Sequence, residues 1–265
     1  MSFHDRVVLI TGGNSGIGRA TALEFAGQGA FLVLAARGTE RGAEVAREVM
    51  AAAPTSGNSP PRALFTPCDV SIPSDCDRAV RTAVETFGRL DVLVNNAGII
   101  LRERTVPQTT PQEWDMTFEI NVKGTFLMCR AAIPALASSR SGTGTAAIVN
   151  NASYLGMVGS RGVAAYSAAK SAIVGLTRAM ALDHAADGIR VNCVAPGSVE
   201  TPMLRQEWEE MGGEHSVRHL FEKKHPLGRI ASPDEVARAI LFLASPAASF
   251  ITGACLPVDG GITAG

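Results

Sequence analysis

Two side chains with acid–base chemistry stand four positions apart in Tyr166-Ser-Ala-Ala-Lys170, a stretch of helix-forming composition. On a helix that spacing puts both on one face, one turn apart, within reach of a single ligand. A free phenol has a pKa near ~10 and is a poor acid–base group at neutral pH. A neighbouring ammonium stabilises the phenolate and brings it toward the working range. Tyr166 is therefore expected to give a proton to a carbonyl oxygen, or take one from an alcohol. Lys170 would lower its pKa and use its remaining donors on ligand hydroxyls. Ser153, at the end of an apolar run, is placed to hold the same oxygen beside the tyrosine. Plainer readings stand beside these: such a pair can arise by chance, and a serine at a strand end more often caps a turn.

A run of glycines, Thr11-Gly12-Gly13-Asn14-Ser15-Gly16-Ile17-Gly18, follows the first apolar segment and opens into a helical pattern. Without Cβ atoms the backbone turns sharply and lets a pyrophosphate approach its amides. The helix N-terminus adds unpaired N–H groups and the positive end of a dipole. Gly12, Asn14, Ser15, Gly16, Ile17 and Gly18 are thus candidates to hold a dinucleotide. The spacing Gly-x-x-x-Gly-x-Gly departs from the commoner Gly-x-Gly-x-x-Gly, and a tight turn with no ligand is the alternative. Beside an acid–base tyrosine, such a site points to hydride transfer between a nicotinamide dinucleotide and a carbonyl or alcohol. The second apolar run ends at Ala36, where an acid would meet the ribose 2′-OH of NAD(H). Arg37 follows, and its planar fork suits the 2′-phosphate of NADP(H). NADP(H) is favoured, with NAD(H) left open and a merely solvated Arg37 as the alternative. Asn95-Asn96-Ala97-Gly98 ends the fourth run and should border the cofactor. Asn121 falls mid-helix, where its side chain competes for backbone bonds; a kink there would support a water chain to Lys170.

The elements that must position these groups alternate along the chain. Apolar, β-branched runs at Arg6–Ile10, Phe31–Ala35, Ala63–Thr66, Asp91–Val94, Ala147–Asn151, Arg190–Val194 and Ala254–Val258 predict strands. Helical patterns fall between them at Ile17–Gln28, Glu40–Ala52, Ser74–Phe87, Pro111–Ala137, Val163–Asp183 and Pro233–Leu243. Nearly continuous hydrophobic strands separated by helices indicate a parallel sheet covered on both faces. The expectation is one α/β domain over residues 1–265, a Rossmann-type doubly wound sheet of seven strands. Ala53–Arg62 and Ser138–Thr145 read as surface loops. Ser198–Arg229 mixes polar and apolar residues without a strand and reads as a mobile substrate lid.

Composition limits the function classes. The 265 residues are 46% apolar and 18% charged, ordinary for a globular chain. A net charge of −1 offers no basic footprint, so no nucleic-acid partner is expected. No apolar run approaches the length of a membrane span, so no membrane partner is expected either. Met1-Ser2-Phe3-His4-Asp5 lacks the pattern of a signal peptide, and the five scattered cysteines form no C-x-x-C pair. A cytoplasmic protein with reduced thiols is expected.

These residues together resemble the short-chain dehydrogenase/reductase family. The likeness runs from Thr11–Gly18 through Asp69, Asn95–Gly98, Asn121, Ser153, Tyr166-Ser-Ala-Ala-Lys170 and Pro196-Gly197 to Val258-Asp-Gly-Gly261. It covers essentially the whole chain and accounts for the glycine spacing. The resemblance implies a catalytic tetrad of Asn121, Ser153, Tyr166 and Lys170. It also implies an adenine contact at Asp69 with Val70 beside it, and a carboxamide site at Val199 and Thr201 after Pro196-Gly197. Ala36-Arg37 looks like the family's NADP-preferring pattern, and the family's usual homotetramer is the expected assembly. One departure is Ala152 where the family often has a serine before Ser153.

Substrate choice should rest with Ile99–Arg104, Tyr154–Arg161 and Ser198–His225. Leu155, Met157, Met203 and Leu204 suggest an apolar pocket, while Arg102 or Arg205 could meet an anion, though solvated arginines are the plainer reading. A 3-oxoacyl-thioester reductase and a sugar, polyol or ketone dehydrogenase fit equally. His215, His219 and His225 lack the spacing of a zinc site, so no metal is expected and all three read as surface residues. A non-catalytic NADP-binding regulator is the alternative, but a sensor needs no proton donor.

Overall fold

Every residue of β1 (Val7–Thr11) is buried, because helices cover both faces of the sheet it begins. Val8 and Ile10 pack into one core and Val7 and Leu9 into the other, the alternation a pleated strand imposes. Each such side chain removed from water stabilises the fold by roughly 1.5–3 kcal/mol. The computed structural model describes residues 2–52, 63–102, 104–139 and 146–265. The predicted loop at Ala53–Arg62 therefore lies outside the described residues, as does 140–145 of the second loop.

The remaining strands are β2 (Phe31–Ala36), β3 (Ala63–Pro67), β4 (Val92–Asn95), β5 (Ala146–Asn151), β6 (Ile189–Pro196) and β7 (Cys255–Val258). They form one seven-stranded sheet in the order β3-β2-β1-β4-β5-β6-β7, with every pairing parallel. The doubly wound α/β fold expected from the sequence is present. Strand order reverses between β1 and β4, and the carboxyl ends of the strands there open a crevice.

One face of the sheet is covered by α1 (Gly16–Gly27), α2 (Thr39–Ala51) and α9 (Pro233–Ala244); Phe25, Val45 and Ile240 carry that core. The other face is covered by α3 (Pro73–Phe87), α5 (Gly124–Ser138) and α6 (Ala164–Asp183), through residues such as Val80, Met128 and Met180. Local signals set the ends. Pro73 opens α3 and Gly88, at φ 77°, closes it. Ser232 and Glu235 form a capping box around Pro233, with the Ser232 amide donating to Glu235 Oε2 at 2.9 Å.

The helix expected over Pro111–Ala137 is present without a break over 111–138, as α4 (Pro111–Phe118) and α5 with a π-helical turn at Glu119–Lys123 between them. Asn121 is its middle residue and is fully buried. Ser198–Arg229 differs from the unpacked segment its composition suggested. It holds α7 (Pro202–Glu210) and α8 (Glu214–Glu222), and Leu204, Trp208, Val217, Phe221 and Ile230 form a small core of their own. Apolar residues at helical spacing on two short amphipathic helices were masked by the polar residues between them.

Candidate active site

A cleft of about 440 Å³ opens at the carboxyl ends of the strands, within the size range of ligand pockets. Of the residues singled out in the sequence, Gly12, Asn14, Ser15, Gly16, Ile17, Arg37, Asp69, Val70, Ala97, Gly98, Ser153, Tyr166, Lys170, Pro196, Gly197, Val199 and Thr201 all line it. Gly18, Asn95 and Asn121 are not among its lining residues.

Each of those three has a different place. Gly18 lies where a Cβ would run into the Gly12 carbonyl, so it lets the start of α1 close on the turn. Asn95 is buried, its Nδ2 donating to Asn150 Oδ1 at 2.9 Å and reaching Cys129 Sγ. As strand faces alternate, Asn95 shares the side of Leu93 against α5, and the next residue, Asn96, faces the cleft. Asn96 Nδ2 donates to the Thr11 and Gly12 carbonyls at 3.1 Å each, and its Oδ1 accepts from Asn151 at 2.9 Å. It ties the ends of β1, β4 and β5 together. Asn121 Nδ2 donates to the carbonyls of Thr117 (2.9 Å) and Ile99 (3.0 Å), and its Oδ1 accepts from the Ile99 amide at 3.3 Å. A Cβ on Gly98 would fall 2.6 Å from Asn121 Oδ1 and 3.5 Å from Lys170 Nζ. Asn121 therefore fixes the strand end that runs beside Lys170.

The glycine turn fits a phosphate. Gly16 has φ 49°, a conformation other residues rarely adopt, and its bare Cα lets Thr201 approach to 3.1 Å of where a Cβ would stand. Ser15, at the N-cap of α1, makes no side-chain cap bond, so the first amides of the helix face the cleft without a side-chain acceptor from it. Thr201 itself caps α7 by accepting from the Leu204 amide at 3.3 Å. Asp69 Oδ1 accepts from the Ser71 amide (3.0 Å) and hydroxyl (2.7 Å), which holds that carboxylate at the end of β3. Arg37 follows β2 and is exposed at the cleft edge.

Tyr166 and Lys170 lie in the first two turns of α6, and Ser153 follows β5. Ser153 Oγ accepts from the Leu155 amide at 3.1 Å, and its hydroxyl is near enough to the Tyr166 phenol to favour the phenolate. The short turn Tyr154–Gly156 that carries it presses on α6: a Cβ on Gly156 would stand 2.8 Å from the Lys170 carbonyl oxygen. Lys170 Nζ donates to the Asn151 carbonyl at 2.8 Å and lies 5.5 Å from the centroid of the Tyr166 ring. The electrostatics differ from the sequence expectation. Burial pushes the Tyr166 phenol up to about 12, against opposing effects of Arg102 and the Ser153 hydroxyl. Burial also pulls Lys170 down to about 8. The ammonium meets the ring face and a carbonyl, and desolvation is the largest cause of both shifts.

His225 was missed. It is buried, its Nδ1 bonded to the Phe221 carbonyl at 2.8 Å and its Nε2 accepting from the Ser198 amide at 3.0 Å. One imidazole thus ties the end of α8 to the Pro196–Ser198 turn, and nothing in its sequence context distinguishes it from exposed His215 and His219. At the substrate end, Leu155, Met203 and Leu204 line the cleft as expected, with Phe221, Tyr154 and Arg102. Met157 does not, and Arg205 pairs with Glu200 at 2.8 Å outside it. Among the described residues, no three His, Cys, Asp or Glu side chains could hold a metal ion together.

This fold and site define a dinucleotide-dependent oxidoreductase. A family model described as enoyl-(acyl carrier protein) reductase matches residues 12–263. The chain is 39% identical to meso-2,3-butanediol dehydrogenase of Serratia marcescens, over all of this chain and 97% of that one. It is 41% identical to cis-4-hydroxycyclohexanecarboxylate dehydrogenase of Sinomonas cyclohexanicum, over 99% and 98%. Among solved structures, levodione reductase superposes with a TM-score of 0.91 at 36% identity, covering 99% of both chains. A 3-ketoacyl-(acyl-carrier-protein) reductase from Brucella melitensis complexed with NADH gives 0.87 at 36%, covering 99% of this chain and 100% of that one. The chain belongs to the short-chain dehydrogenase/reductase family. It is an oxidoreductase of carbonyl and alcohol substrates that uses NAD(P)(H).

Proposed function

We propose that the cleft reduces a small cyclic ketone, or oxidises the matching secondary alcohol, with Tyr166 moving the proton and NADP(H) as the preferred cofactor. When bound, the dinucleotide supplies or accepts the hydride. Gly12, Asn14, Ser15, Gly16 and Ile17 would hold its phosphates, Asp69 and Val70 its adenine, and Pro196, Gly197, Val199 and Thr201 its carboxamide end. Arg37 would take the 2′-phosphate, and the lack of a carboxylate at Ala36 removes the group that would repel it.

The Tyr166 phenol, protonated at neutral pH, is placed to donate to a nascent alkoxide. Ser153 keeps its hydroxyl toward the phenol and would orient the substrate oxygen. Lys170 would hold ribose hydroxyls with the donors that Asn151 leaves free. Asn121 acts at one remove, through the Gly98–Ile99 backbone. The observation that carries this reading is the meeting of the Ser153 hydroxyl, the Tyr166 phenol and Lys170 on one wall of the cleft.

Identity to a cyclohexane-ring alcohol dehydrogenase and the apolar lining by Leu155, Met203, Leu204 and Phe221 support a cyclic substrate. The reading includes a substrate lid over α7 and α8 and a cytoplasmic homotetramer. Exposed Trp114, Met116 and Phe126 would be covered on assembly, and all five cysteines are free thiols. The test is oxidation of NADPH and NADH against cyclohexanone, diacetyl and an acetoacetyl thioester. Turnover of the cyclic ketone with NADPH preferred is expected. No turnover of any carbonyl or alcohol with either cofactor would overturn the reading.

A further inference from the structure

The substrate end of the cleft is lined by two cations. Arg102, on the loop after β4, and Lys224, just past α8, both line it. Among the described lining residues the one carboxylate is Asp69, which follows β3 at the opposite edge of the sheet from β5. Glu207, on α7, does not line the cleft but reaches Arg102: Nε and Oε2 are 2.8 Å apart. Those two atoms are in ion contact without the alignment of a hydrogen bond. Arg102, Tyr154 and Tyr166 line the same cleft, and the Arg102 charge favours the phenolate of both tyrosines.

We propose that Arg102 is a carboxylate-recognition residue, and that the substrate is an oxo acid or hydroxy acid whose carboxylate replaces Glu207 on the guanidinium. The inference deepens the ketone/alcohol reading and rests on it. Glu207 then has a definite role: it neutralises Arg102 between turnovers and competes with the substrate anion. Exchanging one carboxylate partner for another keeps the cation paired throughout, which avoids the cost of leaving a partly buried charge alone. Because Arg102 stands on the loop after β4 and Glu207 on α7, the exchange also releases a tie between the loop and the lid.

The test uses ligand binding, so it is independent of turnover. Cyclohexanecarboxylate and cyclohexanol are titrated by calorimetry into the NADPH-loaded protein, in which neither can be oxidised or reduced, wild type and variants. Arg102→Gln should weaken the carboxylate about tenfold or more relative to cyclohexanol. Arg102→Lys should recover part of that loss. Glu207→Gln should tighten the carboxylate and leave the alcohol behind. Equal losses for both ligands in Arg102→Gln, or a weaker carboxylate in Glu207→Gln, would overturn the proposal. So would wild-type protein that prefers the alcohol. Failure of the ketone panel above would instead count against the catalytic reading, since binding of the inert acid does not depend on it.

Discussion

The Lys170 ammonium lies 5.5 Å from the centroid of the Tyr166 ring and donates to the Asn151 carbonyl at 2.8 Å. It meets the face of the ring, and enclosure dominates the titration of both groups. The phenol is thereby kept as an acid and the amine is brought toward neutral pH, opposite in sense to a simple ammonium–phenolate pair.

This arrangement is open to direct titration, because the chain has only two tyrosines and both line the cleft. Burial raises Tyr154 as well as Tyr166. Ultraviolet titration of phenolate should therefore show no tyrosine ionising at the free value, and Tyr166→Phe should remove one of two steps that both lie above it. A phenolate forming below the free value would contradict the burial argument.

Lys170 carries a consequence for stability. Its pKa in the fold is about 8, below the 10.5 of a free lysine, so the unfolded chain binds more protons between those values. Stability should then rise with pH from about 8 toward 10.5, with the full penalty present below that window. Urea midpoints for wild type and Lys170→Met, measured across the window, should show the rise in the first and a flatter profile in the second.

Cofactor choice can be read at Arg37. An exposed guanidinium on a phosphate monoester makes charge-assisted bonds, so Arg37→Ala should raise the KM for NADPH roughly tenfold or more. NADH should change little. Equal effects on the two cofactors would refute the phosphate contact.

The fold was legible in the sequence because parallel strands buried on both faces read as nearly continuous apolar runs, as β1 and β2 do. The glycine turn, Ser153, Tyr166 and Lys170 were legible because their spacing maps directly onto a strand end and a helix face. What was not legible depends on contacts between distant segments. Asn95 and Asn96 are chemically identical, and only the parity of β4 shows which one faces the cleft. The core of Trp208 and Phe221 needs α7 and α8 to be seen together. The Tyr166 and Lys170 shifts depend on how far water is excluded, which spacing does not encode.

His225 is the clearest residue of that second kind. Its removal would leave the half-buried Ser198 amide without its acceptor and cut the tie to Phe221. His225→Ala should cost roughly 1–3 kcal/mol of stability. It should raise the KM for the dinucleotide more than it lowers kcat, since the Pro196–Ser198 turn lines the cleft. Thermal unfolding together with steady-state kinetics would check both halves.

The central claim is that the Tyr166 phenol moves the proton. Single-turnover ketone reduction by NADPH-loaded Tyr166→Phe, with dinucleotide binding measured on the same sample, tests it most directly. The rate should fall by about 10²–10⁴ while NADPH affinity stays near wild type. A rate within a few-fold of wild type, with binding intact, would place the acid elsewhere.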